Sequence, residues 1–79
     1  MSTTDQNKEF SLNSRVTVSS TGGWKKSSTG TICDGPELVE TLQGVEFFYW
    51  VKFDESQEDI NGTDKYCKAQ ILSRYLVPI

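Results

Sequence analysis

Seventy-nine residues, 35% of them apolar, allow one small domain with a modest core. Eleven acidic and eight basic side chains leave a net charge of −3, a poor balance for a general nucleic-acid binder, whose phosphate contacts need clustered Lys and Arg. There is no histidine, so the usual general base is missing.

The charge is segregated along the chain. Residues 1–33 carry a balance of +2, residues 34–64 of −8, and residues 65–79 of +3. No apolar run approaches the roughly 18 residues of a membrane span. The N-terminus has neither the basic nor the apolar region of a secretory signal. The expectation is a cytoplasmic protein with no membrane association. Cys33 and Cys67 form no C-x-x-C pair. In a reducing compartment they read as free, half-buried strand thiols.

In chain order, residues 1–9 are polar and aperiodic and read as a disordered tail, leaving residues 10–79 as the domain. Phe10 and Leu12 are the first apolar anchors. Arg15-Val16-Thr17-Val18-Ser19 alternates as a first strand, with Val16 and Val18 inward. A Ser, Thr, Gly and Lys loop around Trp24 follows. Gly30-Thr31-Ile32-Cys33 reads as a short second strand with Ile32 inward, and Asp34-Gly35-Pro36 as a turn. Leu38, Val39 and Leu42 fit neither the helical nor the strand period, so residues 37–42 stay open between strand and wide loop.

The segment Val45-Glu46-Phe47-Phe48-Tyr49-Trp50-Val51-Lys52-Phe53 is the clearest strand. Its odd positions are all apolar or aromatic and line one face, expected to be the core. Its even face holds Phe48 and Trp50 between Glu46 and Lys52. Residues 54–64 read as an acidic loop closed near Asn61-Gly62. Tyr66-Cys67-Lys68-Ala69 reads as a short strand. The apolar spacing from Ala69 to Leu76 predicts a helical turn, and Pro78 the end of the ordered chain. The predicted core is Val16, Val18, Ile32, Phe47, Tyr49, Val51, Phe53, Ile71 and Leu76. The predicted fold is all-β, a small barrel with a short helical turn near the C-terminus.

This layout resembles the SH3-like barrel. The small stromal accessory subunit of photosystem I is similar in Arg15-Val16-Thr17-Val18, in Trp24 ahead of Gly30-Thr31-Ile32, and in Trp50-Val51-Lys52-Phe53-Asp54. The C-terminal barrel of the nitrile hydratase β subunit is similar in Tyr49-Trp50-Val51-Lys52-Phe53, in Gly62, and in Tyr75-Leu76-Val77-Pro78. The variable chain of ferredoxin–thioredoxin reductase shares the Val-Lys-Phe strand and the final strand. The resemblance spans residues 13–77. It implies a barrel that docks onto or stabilises a partner rather than one that performs chemistry. It implies no metal-ligating cysteine, because in nitrile hydratase those belong to the other subunit.

Two readings of the aromatics stand side by side. Phe48, Trp50 and Trp24 form a contact surface for a partner, or they pack over a bent strand and an open barrel end. The acidic groups Asp54, Glu55, Glu58 and Asp59 would orient a basic partner, or would simply be solvated. Their spacing does not follow a calcium-binding EF-hand loop, and no metal or cofactor is implied. Trp24-Lys25-Lys26 has the basic and aromatic make-up that grips single-stranded nucleic acid, but two lysines are a thin footprint. No catalytic constellation is present. The expectation is a non-enzymatic protein-interaction module or accessory subunit, its partner another protein with a basic patch. A nucleic-acid-binding barrel is the alternative, and a regulator that takes a small ligand at an open barrel end is a third. The oligomeric state is left open.

Overall fold

The computed structural model describes residues 9–62 and 64–79. The expected tail at residues 1–9 lies outside them except for Glu9, which is exposed. Five antiparallel strands form one sheet: β1 (Arg15–Val18), β2 (Ser28–Thr41), β3 (Gly44–Glu58), β4 (Lys65–Leu72) and β5 (Leu76–Pro78). Their order is β4-β3-β2-β1-β5. The last strand returns to the first, with Val18 opposite Leu76 and Thr17 opposite Val77, and this rolls the sheet into a small barrel-like β fold. Short 3-10 turns lie at Ser20–Gly22 and Ser73–Tyr75. Among the described residues no helix is long and apolar enough to cross a membrane.

The predicted helical turn is the 3-10 turn Ser73–Tyr75, but it is shorter than the apolar spacing suggested. Residues 69–72 belong to β4, because Ala69, Gln70, Ile71 and Leu72 pair in register with Val51, Trp50, Tyr49 and Phe48. Pairing across the sheet outweighs a local helical period. The same competition lengthens β2. The supposed turn Asp34-Gly35-Pro36 is a bulge inside one strand, and residues 37–41 continue it opposite Phe48 to Gly44. Gly35 has φ of 108°, and a Cβ there would come within 3.0 Å of the Phe48 carbonyl oxygen and 3.1 Å of Tyr49 Cα. Only glycine fits so close an approach.

The core holds Val16, Val18, Ile32, Tyr49, Val51, Phe53, Ile71 and Leu76, all buried. Phe47, expected among them, is only half-buried and packs at their margin. Further along, the alternation inverts: Val45 is 51% exposed and Glu46 is 1% exposed. The cause lies in β2, which inserts extra residues between Ile32 and Asp34 and again between Asp34 and Glu37. Each bulge bends the ribbon and increases its twist. Beyond them the β2–β3 hairpin leaves the core and lays its even face against the turn Ser73–Tyr75.

Cys33 and Cys67 are free thiols, but both are exposed rather than half-buried. Cys33 occupies the first bulge, where the strand has lost its alternation.

Gly30 sits between two ladders, opposite Val16 on β1 and Phe53 on β3. A Cβ there would meet the Lys52 carbonyl oxygen at 2.6 Å and Val51 Cγ1 at 2.8 Å. The sheet curls too tightly at this point for any side chain. Gly30→Ala is expected to destabilise by about 1–3 kcal/mol through overpacking. Urea denaturation measures this, and a loss within the experimental error would mean that the β2–β3 spacing relaxes freely.

Candidate functional site

The anticipated contact residues fall into separate places. Trp24 is half-buried, with its ring edge-on to Phe53 at 5.1 Å and to Tyr66 at 5.7 Å. Its loop is tied to the end of β3: Lys25 N–H donates to the Glu58 carbonyl, and Ile60 N–H to the Gly23 carbonyl. Both neighbours of the indole are aromatic, so Trp24 closes one end of the barrel over Phe53. The Lys25 ammonium lies 3.1 Å from the Glu58 carboxylate. The nucleic-acid grip sought in Trp24, Lys25 and Lys26 is thus largely engaged within the chain.

Phe48 and Trp50 are half-buried on the outer face of β3. Phe48 lies opposite Glu37 and Leu72, and Trp50 opposite Asp34 and Gln70. The Lys68 ammonium sits 5.3 Å from the Trp50 ring centroid, within range of a cation–π contact.

Residues 54–58, read as part of an acidic loop, are the last third of β3. Asp54 faces Arg15 of β1 in a bidentate pair, with both N–H···O distances at 2.6 Å, and accepts from Thr29 Oγ1 of β2 at 2.6 Å. These hydrogen bonds to the ionised form hold its carboxyl well below the usual carboxylate range, Arg15 contributing most. The folded pKa is depressed, so the contribution to stability is present above the unfolded value of about 3.9 and is lost as pH falls through the folded one. Asp54→Asn is expected to flatten the acid limb of stability below about pH 4, where the wild type should steepen. An unchanged limb in pH-dependent melts would count against a stabilising role for this exposed triad.

Glu55 is exposed. Asp59 Oδ1 accepts from Gly62 N–H at 2.9 Å, closing the β3–β4 turn. The negative charge of Asp59 raises the Tyr66 phenol above its ordinary pKa. Among the described residues no three His, Cys, Asp or Glu side chains gather to hold a metal ion. Two open depressions lie along this side, one of about 370 Å³ bordered by Lys26, Ser28, Thr29, Asp54, Glu55 and Gln57. Their borders are polar, unlike the apolar enclosures that hold small ligands.

The feature that sequence reasoning missed is the hairpin of residues 37–48. It turns at Leu42-Gln43, where Thr41 Oγ1 accepts from Gln43 N–H. Leu38 and Val45 are 66% and 51% exposed, and Leu42 is fully exposed. Leu38 and Phe47 are cross-strand partners, as are Glu40 and Val45, so these four side chains share one face. The opposite face is anchored. Buried Glu46 lies 3.0 Å from Arg74 Nε; Arg74 Nη2 donates to Glu46 Oε2 at 3.0 Å and to Gln43 Oε1 at 2.9 Å. Thr41 Oγ1 also donates to Glu46 Oε2. A charged clamp therefore holds an apolar-tipped hairpin against the body. The signal was present in Leu38, Val39 and Leu42, apolar residues with no period that would bury them together.

The chain matches no protein-family model, no curated protein and no solved structure.

Proposed function

We propose that this chain is a non-enzymatic protein-docking module built on an SH3-like barrel, and that its β2–β3 hairpin is the docking element. The strand order β4-β3-β2-β1-β5, with a 3-10 turn just before the last strand, supports the SH3-like reading. The observation that carries the function is the exposure of Leu38, Leu42 and Val45 on one anchored hairpin. Apolar side chains held out into water on a fixed support favour a site for another surface, since burying them gains free energy at little cost in ordering. Glu37 and Glu40, both exposed, rim the same hairpin. The complementary partner surface has an apolar groove and basic edges. Phe48 and Trp50, on the Glu46 face of β3, form a separate aromatic surface.

The test is affinity capture with the wild type and with Leu38→Asp/Leu42→Asp, followed by titration of the purified captured protein. The expected result is a loss of affinity of tenfold or more at unchanged melting temperature. Retained binding in that variant with loss in Trp50→Ala would move the site to the outer face of β3. Salt-sensitive oligonucleotide binding, abolished by Lys25→Glu/Lys26→Glu, would sink the docking reading in favour of a nucleic-acid module.

A further inference from the structure

Two open strand edges of opposite charge face away from this one molecule. β4 is an edge strand: it pairs with β3, and among the described residues nothing pairs with its other side. Among the described residues, the second open edge is residues 37–41 of β2. These pair with β3 on one side, while β1 accompanies β2 only as far as Thr31, with two further backbone bonds at Ile32. An open edge presents unpaired N–H and C=O groups that accept an added strand.

The chemistry of the two edges is complementary. β4 carries Lys65 and Lys68 and no acid, whereas residues 37–41 carry Glu37 and Glu40 and no base. Among the described residues none of these four forms an ion pair within the chain. Glu58, opposite Lys65 in the β3–β4 ladder, places its carboxylate on Lys25. The spacing also matches, because the two acids and the two lysines are each three residues apart. An odd spacing puts the members of each pair on opposite faces of a strand. One antiparallel register sets Glu37 opposite Lys68 and Glu40 opposite Lys65 together, one ion pair on each face. That register also sets Val39 opposite Tyr66 and Leu38 opposite Cys67.

We propose that the occupant of the hairpin is a second copy of this chain, joined head-to-tail: residues 37–41 of one molecule add to the β4 edge of the next. This rests on the docking reading of the hairpin and names its partner. Like-with-like pairing is disfavoured, since β4 against β4 opposes lysines and the hairpin against itself opposes glutamates. The interface is therefore heterologous, and it generates a ring or an open filament according to whether the rotation closes. Five added residues form a short ladder, so Leu38, Leu42 and Val45 must supply apolar burial and assembly depends on concentration.

Sedimentation velocity on the full chain, over a hundredfold range of concentration at low and high salt, tests this. The expected result is a mean mass that climbs above the monomer with concentration and falls with salt. Glu37→Lys/Glu40→Lys and Lys65→Glu/Lys68→Glu should each remain monomeric. Mixed in equal amounts they should regain wild-type assembly, because each supplies the edge that the other lacks. Should a reversed variant not fold, Glu37→Gln/Glu40→Gln and Lys65→Gln/Lys68→Gln replace the pair; each should assemble weakly, and their mixture should stop at a heterodimer. A wild type that stays monomeric throughout, charge-reversed variants that mixing does not restore, or glutamine variants whose mixture forms no heterodimer overturn the proposal. If such a monomer still loses a captured protein on Leu38→Asp/Leu42→Asp, docking stands and only the second copy is refuted.

Discussion

Replacing Arg74 with alanine is expected to cost about 3 kcal/mol, the lower end of the range for breaking a buried ion pair. Glu46 is 1% exposed, and Arg74 provides both its ion pair and a hydrogen bond to Oε2. Without the guanidinium, a carboxylate is left buried with Thr41 Oγ1 donating to it. The arginine side chain is a quarter exposed, so water screens part of the interaction and the upper end of the range does not apply. For a chain of this length the whole stability is roughly 4–12 kcal/mol, so the loss is a large share of it. The double variant Glu46→Met/Arg74→Met should recover most of it, because two apolar side chains remove the desolvation problem from both partners. Hydrogen exchange should show lost protection in residues 37–48 before the rest of the sheet. A cost within about 1 kcal/mol for Arg74→Ala, the value of an exposed pair, would mean that the clamp is solvated.

Tyr49→Ala is expected to cost about 3–5 kcal/mol, as for other large aromatic truncations in a core. Tyr49 is fully buried at the centre of β3, opposite Ile71 on β4. Its ring meets Phe10 edge-on at 5.5 Å, and its hydroxyl accepts from Phe10 N–H at 2.9 Å. Tyr49→Phe separates the two contributions. It keeps the packing and should cost about 1 kcal/mol, the net worth of one hydrogen bond, while freeing the segment around Phe10. Urea denaturation gives both numbers. Equal losses in the two variants would assign the stabilisation to the hydroxyl and not to the ring.

The apolar spacing of the expected closing turn placed Ile71 and Leu76 in the core; strand alternation placed Val16, Val18, Ile32, Tyr49, Val51 and Phe53 there, and with them the all-β class. Those residues are legible because burial on one face of a regular strand imposes a period of two, whatever lies across the sheet. Phe47, Val45 and Glu46 broke the pattern because bulges at Cys33 and Gly35-Pro36, on the partner strand, rephase the ribbon that they belong to. A bulge belongs to the pairing of two strands, and one strand's own alternation does not carry it. The acids show the same division. Their number and clustering are in the sequence, but Asp54 meets Arg15 and Glu58 meets Lys25 only because the sheet brings residues more than 30 apart together. Tertiary structure also decided that Trp24 packs over Phe53 and that Leu38, Leu42 and Val45 stand in water. Whether an apolar side chain is core or contact surface depends on what the rest of the fold places beside it, and the turn Ser73–Tyr75 reaches the Glu46 face of the hairpin, leaving its leucines uncovered.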